Sequence, residues 1–236
     1  MAYPGKELLQ IMKNAKNYNN FVVDLLLKSM EKTYLKTLDF GAGCGCFADL
    51  LRKNGVCNIC CVEIDEELGE HCKNLDFNVF DDLNKIDDNS FDFIYTLNVL
   101  EHIEDDKAAL LLLKNKLEKD GKLFIYVPAF NLLYSSFDKQ IGHFRRYQKE
   151  DLVPFLEENG FEIIQAKYAD SMGFILALIY KFLNKTDGEI NMLGLIIFDR
   201  ILFPIGLIFD KFSSGKFFGK NLIVEAKLKP NNEIPN

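Results

Sequence analysis

Three glycines at alternate positions, Gly41, Gly43 and Gly45, follow the apolar run Leu38-Asp39-Phe40 and precede a stretch that reads as a helix opening at about Phe47. A turn of that composition between a strand and a helix lets backbone N–H groups and the positive end of the helix approach a ligand closely. Eighteen residues beyond Gly45, at the end of a second apolar run, stands Glu63. An acid at about that distance can hold both hydroxyls of a ribose. Together these residues read as a pocket for a nucleoside-containing cofactor.

Glycines in such a turn can mean only that a tight bend needs positive φ, so their order matters. A dinucleotide site has the order G-x-G-x-x-G, with amides aimed at a pyrophosphate. Here the order is Asp39-x-Gly41-x-Gly43-x-Gly45. A carboxylate opening the turn would repel a pyrophosphate but suits a cofactor that carries an amino group and a sulfonium.

With that order the chain closely resembles the class I S-adenosylmethionine-dependent methyltransferases, whose first motif is an acid followed by x-G-x-G-x-G. A second match is Ser90-Phe91-Asp92 leading to Val99-Leu100-Glu101-His102-Ile103. The resemblance covers roughly residues 15–168 and 221–228. It implies S-adenosylmethionine as cofactor, held by Asp39, Gly41, Ala42, Gly43 and Gly45, with Glu63 and Ile64 at the ribose side. It further implies Asp81 or Asp82, with Leu83, at the adenine amino group and Asn98 facing the methionine part. Tyr18 is the candidate aromatic residue lying over the cofactor. In many relatives the Glu-His pair shapes this loop, so His102 is read as structural rather than as a base.

Outside the motifs, apolar spacing predicts a helical segment over 7–34 and strands at 37–40, 58–62, 77–79, 91–97, 122–127, 161–168 and 221–228. Helices are expected over 66–74, 106–119 and 149–159, the second ending at Asp120-Gly121. The expected fold is α/β, a Rossmann-like seven-stranded methyltransferase sheet flanked by helices. One domain is expected, with an N-terminal helical segment (1–34), a core (35–168), an apolar helical cap inserted between strands six and seven (169–220), a last strand (221–228) and a tail (229–236).

Acceptor chemistry should come from the loop after the fifth strand, because loops at the carboxyl edge of a parallel sheet form the variable site. That loop holds Tyr134, Asp138, His143, Arg145, Arg146 and Tyr147 within fourteen residues. Its Gly-His-Phe-Arg-Arg-Tyr string resembles a small bacterial subgroup with a GHxRRY loop, often found near glycosyltransferase and cell-envelope functions. His143 could take a proton from the acceptor, as imidazole side chains can. An arginine, Arg145 or Arg146, could grip a carboxylate or phosphate. His143, Arg146 and Tyr147 are the catalytic candidates. The other reading is an internal network in which Asp138, His143 and an arginine order the loop while Tyr147 fills a gap.

Composition narrows the partners. A hydrophobic share of 48% in 236 residues supports a folded core. A net charge of −7 argues against a duplex-binding protein, so no nucleic-acid partner is expected. The N-terminus lacks the basic and apolar regions of a signal peptide, which points to the cytoplasm. Six cysteines fall between Cys44 and Cys72. Cys44 and Cys46 belong at one edge of the sheet and Cys57 at the other, about 13 to 16 Å away, too far for one tetrahedral zinc. Reduced thiols and no metal are expected.

The insertion is rich in Ile, Leu and Phe, and its Lys and Arg outnumber Asp and Glu six to four between Met172 and Lys220. Its first run is too short to span a bilayer, and Asp199-Arg200 and Pro204 interrupt the second. A packed lid, an interfacial helix pair at the inner face of a membrane and an oligomer contact all remain open, with Phe203 and Phe209 as candidate lipid contacts. The expected activity is methyl transfer to an oxygen or nitrogen of a small, lipid-linked or saccharide acceptor. A nicotinamide oxidoreductase and a catalytically silent partner subunit are the alternatives.

Overall fold

The computed structural model describes residues 4–33, 35–182, 192–213 and 215–229, so residues 183–191 of the insertion and the tail beyond Lys229 lie outside the described residues. In chain order the elements are α1 (Lys6–Met12), α2 (Lys16–Met30), β1 (Thr37–Phe40), α3 (Cys46–Lys53), β2 (Ile59–Val62), α4 (Glu66–Asn74), β3 (Asn78–Phe80) and β4 (Phe91–Leu97). They continue as α5 (Asp106–Lys116), β5 (Leu117–Pro128), α6 (Ser136–Gln140), α7 (Lys149–Glu158), β6 (Phe161–Ala169), α8 (Ser171–Phe182), α9 (Met192–Ile197), α10 (Phe203–Ser213) and β7 (Asn221–Leu228).

The strands form one seven-stranded sheet in the order β3-β2-β1-β4-β5-β7-β6. β7 is antiparallel to both of its neighbours, so β6 points the same way as the parallel strands. Alternate side chains of the central strands feed two cores. Leu38, Ile94, Leu123, Ile125 and Val224 face one layer of helices. Phe93, Tyr95, Phe124, Tyr126 and Ile223 face the other, where α2 and α3 pack. The order of the sheet reverses between β1 and β4, which opens a crevice at the carboxyl edge beside the glycine turn.

Three parts of the chain differ from expectation by more than a residue at an element's end. The N-terminal helical segment is broken in two between Met12 and Lys16. α5 ends at Lys116 and β5 begins at Leu117, because Leu117 is fully buried and pairs with Phe91 across a bulge. Asp120, at φ +64°, together with Gly121 turns the chain inside that strand rather than capping a helix.

The third difference is in the insertion. Asp199-Arg200 and Pro204 do not interrupt it. A π-turn at Phe198–Leu202 carries the helix past the missing N–H of Pro204. The resulting run, Met192–Phe212, is long and apolar enough to cross a membrane by length and composition. It nevertheless lies along the domain. Asp199 is 2% exposed, and its carboxylate accepts from the Asn17 N–H at 3.1 Å and the Tyr18 N–H at 2.9 Å. It thus serves α2 as an N-terminal cap from another helix. Asp210 does the same at the start of α8, accepting from the Asp170 and Ser171 N–H groups. Phe203 packs its ring on Tyr18 and Phe21, each centroid 5.5 Å away.

Candidate functional site

Gly41, Gly43 and Gly45 all adopt positive φ, at 79°, 56° and 72°. A β-carbon at Gly41 would stand 2.3 Å from Val99 Cγ2, against the exit of β4. At Gly43 it would meet only Leu9 of α1, at 3.3 Å. The turn is therefore pressed against the sheet on one side and roofed by α1 on the other. Lys6 pins that roof by ion pairs to Asp65 at 2.9 Å and Glu67 at 2.7 Å.

Glu63 closes the turn from the end of β2. Its Oε2 accepts the Gly43 N–H at 2.7 Å and its Oε1 the Asp65 N–H at 2.9 Å. Burial raises its carboxyl above the usual value, and those two N–H groups oppose the rise. Ile64, next in sequence, is 72% exposed, an apolar plate beside the acid. Ala42 donates its N–H to Val62 O at 3.1 Å, which holds the turn to β2.

Asp39 lies beneath the turn, not in it, at 3% exposure. Burial lifts its carboxyl to about 7, the neighbouring Tyr95 hydroxyl opposing and the Glu63 charge assisting. The folded chain therefore binds this proton more tightly than the unfolded chain, whose carboxyl stays near 3.8. The associated stability is fully present below about pH 4 and is lost as pH rises through about 7. Asp39→Asn removes that loss. The variant should melt near the wild-type temperature at pH 4 and well above it at pH 8, where the difference is on the order of 4 kcal/mol from a shift of about three units. Equal melting temperatures at pH 8 would show that Asp39 is not held in this way.

Tyr18 reaches the same edge. Burial raises its hydroxyl to about 12, with the neighbouring Tyr126 hydroxyl and Asn98 side chain working the other way. Asn98 is exposed, leaves β4 at φ +55° and donates its N–H to Tyr126 O at 2.7 Å. Phe130 after β5 and Asp170 after β6 also carry positive φ. Three of the seven described non-glycine residues with positive φ thus follow the carboxyl ends of strands. Of the two adenine candidates, Asp82 caps the turn Leu83–Lys85 through the Asn84 N–H at 2.8 Å. Asp81 is exposed and pairs only at the surface, with Lys85. Leu83 is buried beneath them.

The loop after β5 is built around two buried acids. Asp138 accepts from the Ser135 N–H and hydroxyl, lies 2.9 Å from His143 Nδ1, and pairs with Arg146 through Nε and Nη2 at 2.9 Å each. Burial pushes its carboxyl up, but His143, Arg146 and the Ser135 N–H together hold it at about 2. Asp106, at the start of α5, takes Arg145 and the Tyr147 hydroxyl, the latter at 2.7 Å. Burial, then Asp106, raises the Tyr147 pKa. Arg146 and Tyr147 are 8% and 6% exposed. Both are occupied by internal acids, so the geometry favours the loop-ordering reading for them over a grip on the acceptor. Sequence reasoning named Asp138 but missed Asp106, which had been read only as the start of a helix.

His143 sits beside His102, ring centroids 4.6 Å apart. Burial and the facing His143 lower His102 to about 4. Glu101 is fully buried, and burial raises its carboxyl to about 8. Above this loop lies the insertion. Phe130, Tyr168, Phe174 and Phe218 form a chain of ring contacts with centroids 4.4 to 5.4 Å apart. Lys181 of α8 donates to Leu132 O and Tyr134 O.

Against known proteins, the family described as a methyltransferase domain matches residues 11–166, more than half of the chain. No curated protein matches. Among solved structures, an S-adenosylmethionine-dependent methyltransferase from Archaeoglobus fulgidus superposes at a TM-score of 0.57, covering 89% of this chain and 94% of its own, at 18% identity. The YcgJ protein from Bacillus subtilis gives 0.61 over 90% and 100% at 17% identity. Magnesium protoporphyrin IX methyltransferase from Synechocystis PCC 6803, solved with S-adenosylhomocysteine bound, gives 0.59 over 92% and 84% at 16% identity. The chain belongs to the methyltransferase-domain family, and its fold is that of the S-adenosylmethionine-dependent methyltransferases.

Proposed function

We propose that this chain transfers a methyl group from S-adenosylmethionine to an oxygen or nitrogen of an amphiphilic acceptor, a small molecule or saccharide carried on a lipid, at the cytoplasmic face of a membrane. When bound, the cofactor supplies an electrophilic sulfonium methyl. The chain's part is to hold the nucleoside with the turn amides and Glu63, to present Asn98 and Tyr18 to the methionine part, and to align the acceptor. The cradle at Gly43, which side chains would fill, supports that fit. Glu63→Ala removes two charge-assisted contacts to the ribose, each worth about 1.5 to 3 kcal/mol. It should weaken S-adenosylmethionine binding roughly tenfold or more by calorimetry. A wild-type chain that bound NADH and not S-adenosylmethionine would sink the reading.

The observation that carries the acceptor class is the exposed apolar face of the insertion. Ile197, Ile201, Ile205 and Phe209 recur every four residues along one helix face, 41 to 61% exposed, and Phe212 is 86% exposed. On α8, Ile175, Ile179 and Phe182 continue the apolar surface. A soluble lid would turn such a stripe inward. Burying three or four of these side chains at about 1.5 to 3 kcal/mol each gives useful affinity for an acyl chain or an anionic bilayer. The likeness of the Gly142–Tyr147 string to the bacterial GHxRRY subgroup fits an envelope saccharide.

Phe209→Asp should reduce co-sedimentation with anionic vesicles several-fold while leaving the melting temperature nearly unchanged, because the side chain is 61% exposed. Phe203 is not a lipid contact. It is 1% exposed, and a charge there would unfold the cap. A wild-type protein that ignores vesicles would return the acceptor to the soluble small molecules.

A further inference from the structure

We infer that Glu101, His102 and His143 form a binding site for a divalent transition-metal ion of the zinc class, on the acceptor side of the cofactor pocket. One ring nitrogen of each histidine and one Glu101 oxygen all lie within 4.8 Å of one another. His143 Nε2 is 3.8 Å from Glu101 Oε1. Ligands about 2.0 to 2.2 Å from a zinc ion stand roughly 3.4 Å apart, so small side-chain rotations close the set. Two imidazoles and one carboxylate favour zinc, cobalt or iron(II) over magnesium or calcium.

A second observation is independent of that clustering. Glu101 has no solvent exposure, and neither carboxylate oxygen makes a hydrogen bond to any other described residue. Buried acids nearby are handled differently. Asp106 has Arg145 and Tyr147, and Asp138 has Ser135, His143 and Arg146. The His143 ring, at 3.8 Å, and the charge of Arg146 act on this carboxylate without bonding it. A buried carboxylate left without a hydrogen bond is costly, and a bound cation would supply the direct contact. The outer shell is also built. Asp138 holds His143 Nδ1 and so turns Nε2 toward Glu101, while the Gly142 backbone bonds the His102 ring. Such partners fix the orientation of metal-binding imidazoles. The Phe144 N–H donates to Glu101 O at 2.8 Å, which ties together the two segments that supply the ligands.

Three protein ligands leave a position open to the acceptor. If the methyltransferase reading above holds, an acceptor hydroxyl bound there loses its proton to solvent more readily. Its oxygen then bonds the methyl carbon, and the carbon–sulfur bond breaks with its electron pair left on sulfur. His143 is then a ligand and not the general base. The metal site itself does not depend on that reading.

The test uses the full chain, stripped with EDTA and titrated with Co2+ and then Zn2+ by absorption and calorimetry. One ion per chain is expected, with visible cobalt bands and no thiolate charge-transfer band. His102→Ala, His143→Ala and Glu101→Gln should each weaken binding by more than the roughly 10 to 100-fold that loss of an outer-shell partner brings. Cys57→Ser with Cys60→Ser should bind as wild type. Failure to bind either ion, or thiolate bands that survive His143→Ala, overturns the site. If Glu101→Gln does not fold by circular dichroism, the wild-type cobalt spectrum and the histidine variants decide. S-adenosylmethionine binding, measured on the stripped protein in parallel, separates failure of the metal site from failure of the cofactor reading.

Discussion

Gly43→Val should abolish cofactor binding, weakening it more than about 100-fold, while the far-ultraviolet circular dichroism stays close to wild type. Gly43 sits at φ +56° and donates its N–H to Glu63 at 2.7 Å. A β-branched residue held there costs on the order of 1 to 3 kcal/mol. If it relaxes instead, the N–H swings away from the acid that is to hold the ribose. Its new side chain would project toward Leu9, into the space between the turn and α1. The damage is local for the same reason, since only Leu9 lies where the new β-carbon would point. Gly41 differs, because its β-carbon would strike Val99 and disturb the exit of β4. Calorimetry with S-adenosylhomocysteine, together with a thermal melt, checks the expectation. Binding retained by a folded Gly43→Val variant would place the pocket elsewhere.

The parts of this molecule that sequence reveals are those governed by local chemistry. β1, β4 and β7 begin and end where the apolar runs do, because strands buried on both faces need uninterrupted apolar residues. The glycine turn and Glu63 were legible because positive φ and a ribose diol each demand a residue type. Boundaries failed where tertiary packing overrode local signals. Leu117 reads as helix by its spacing, but burial against Phe91 makes it strand. Asp199 and Pro204 read as helix interruptions, yet one caps α2 from a distance and the other follows a π-turn.

The loop after β5 shows the same limit within the site. Arg145 and Arg146 are neighbours in sequence and chemically alike, yet one turns to Asp106 and the other to Asp138. Asp106 lies on a helix thirty-nine residues before Arg145, and no local pattern announces such a pairing. Glu101 is harder still. A glutamate after an apolar strand reads as the start of a solvated face, and only the packing of the His143 segment over it reveals that it is enclosed.

Asp138→Ala should be the most destabilising single change in the loop. The carboxylate has no exposure and satisfies the Ser135 N–H and hydroxyl, His143, and the Nε and Nη2 of Arg146. Removing it leaves Arg146, itself 8% exposed, as a buried charge whose partner is gone. Breaking a buried pair in this way costs about 3 to 5 kcal/mol. For a chain of this size that lowers the melting temperature by roughly 6 to 20 °C. Asp138→Asn keeps the shape and one acceptor but not the charge, so it should fall between the two. Arg146→Met with Asp138→Leu, which removes both charges and keeps much of the volume, should recover part of the loss. Cofactor affinity should change far less than in Gly43→Val, because Glu63 bonds the Gly43 and Asp65 N–H groups while Asp138 bonds Ser135, His143 and Arg146. An Asp138→Ala protein that melts within about 2 °C of wild type would mean that Arg146 finds water and that the loop is ordered by Asp106 alone.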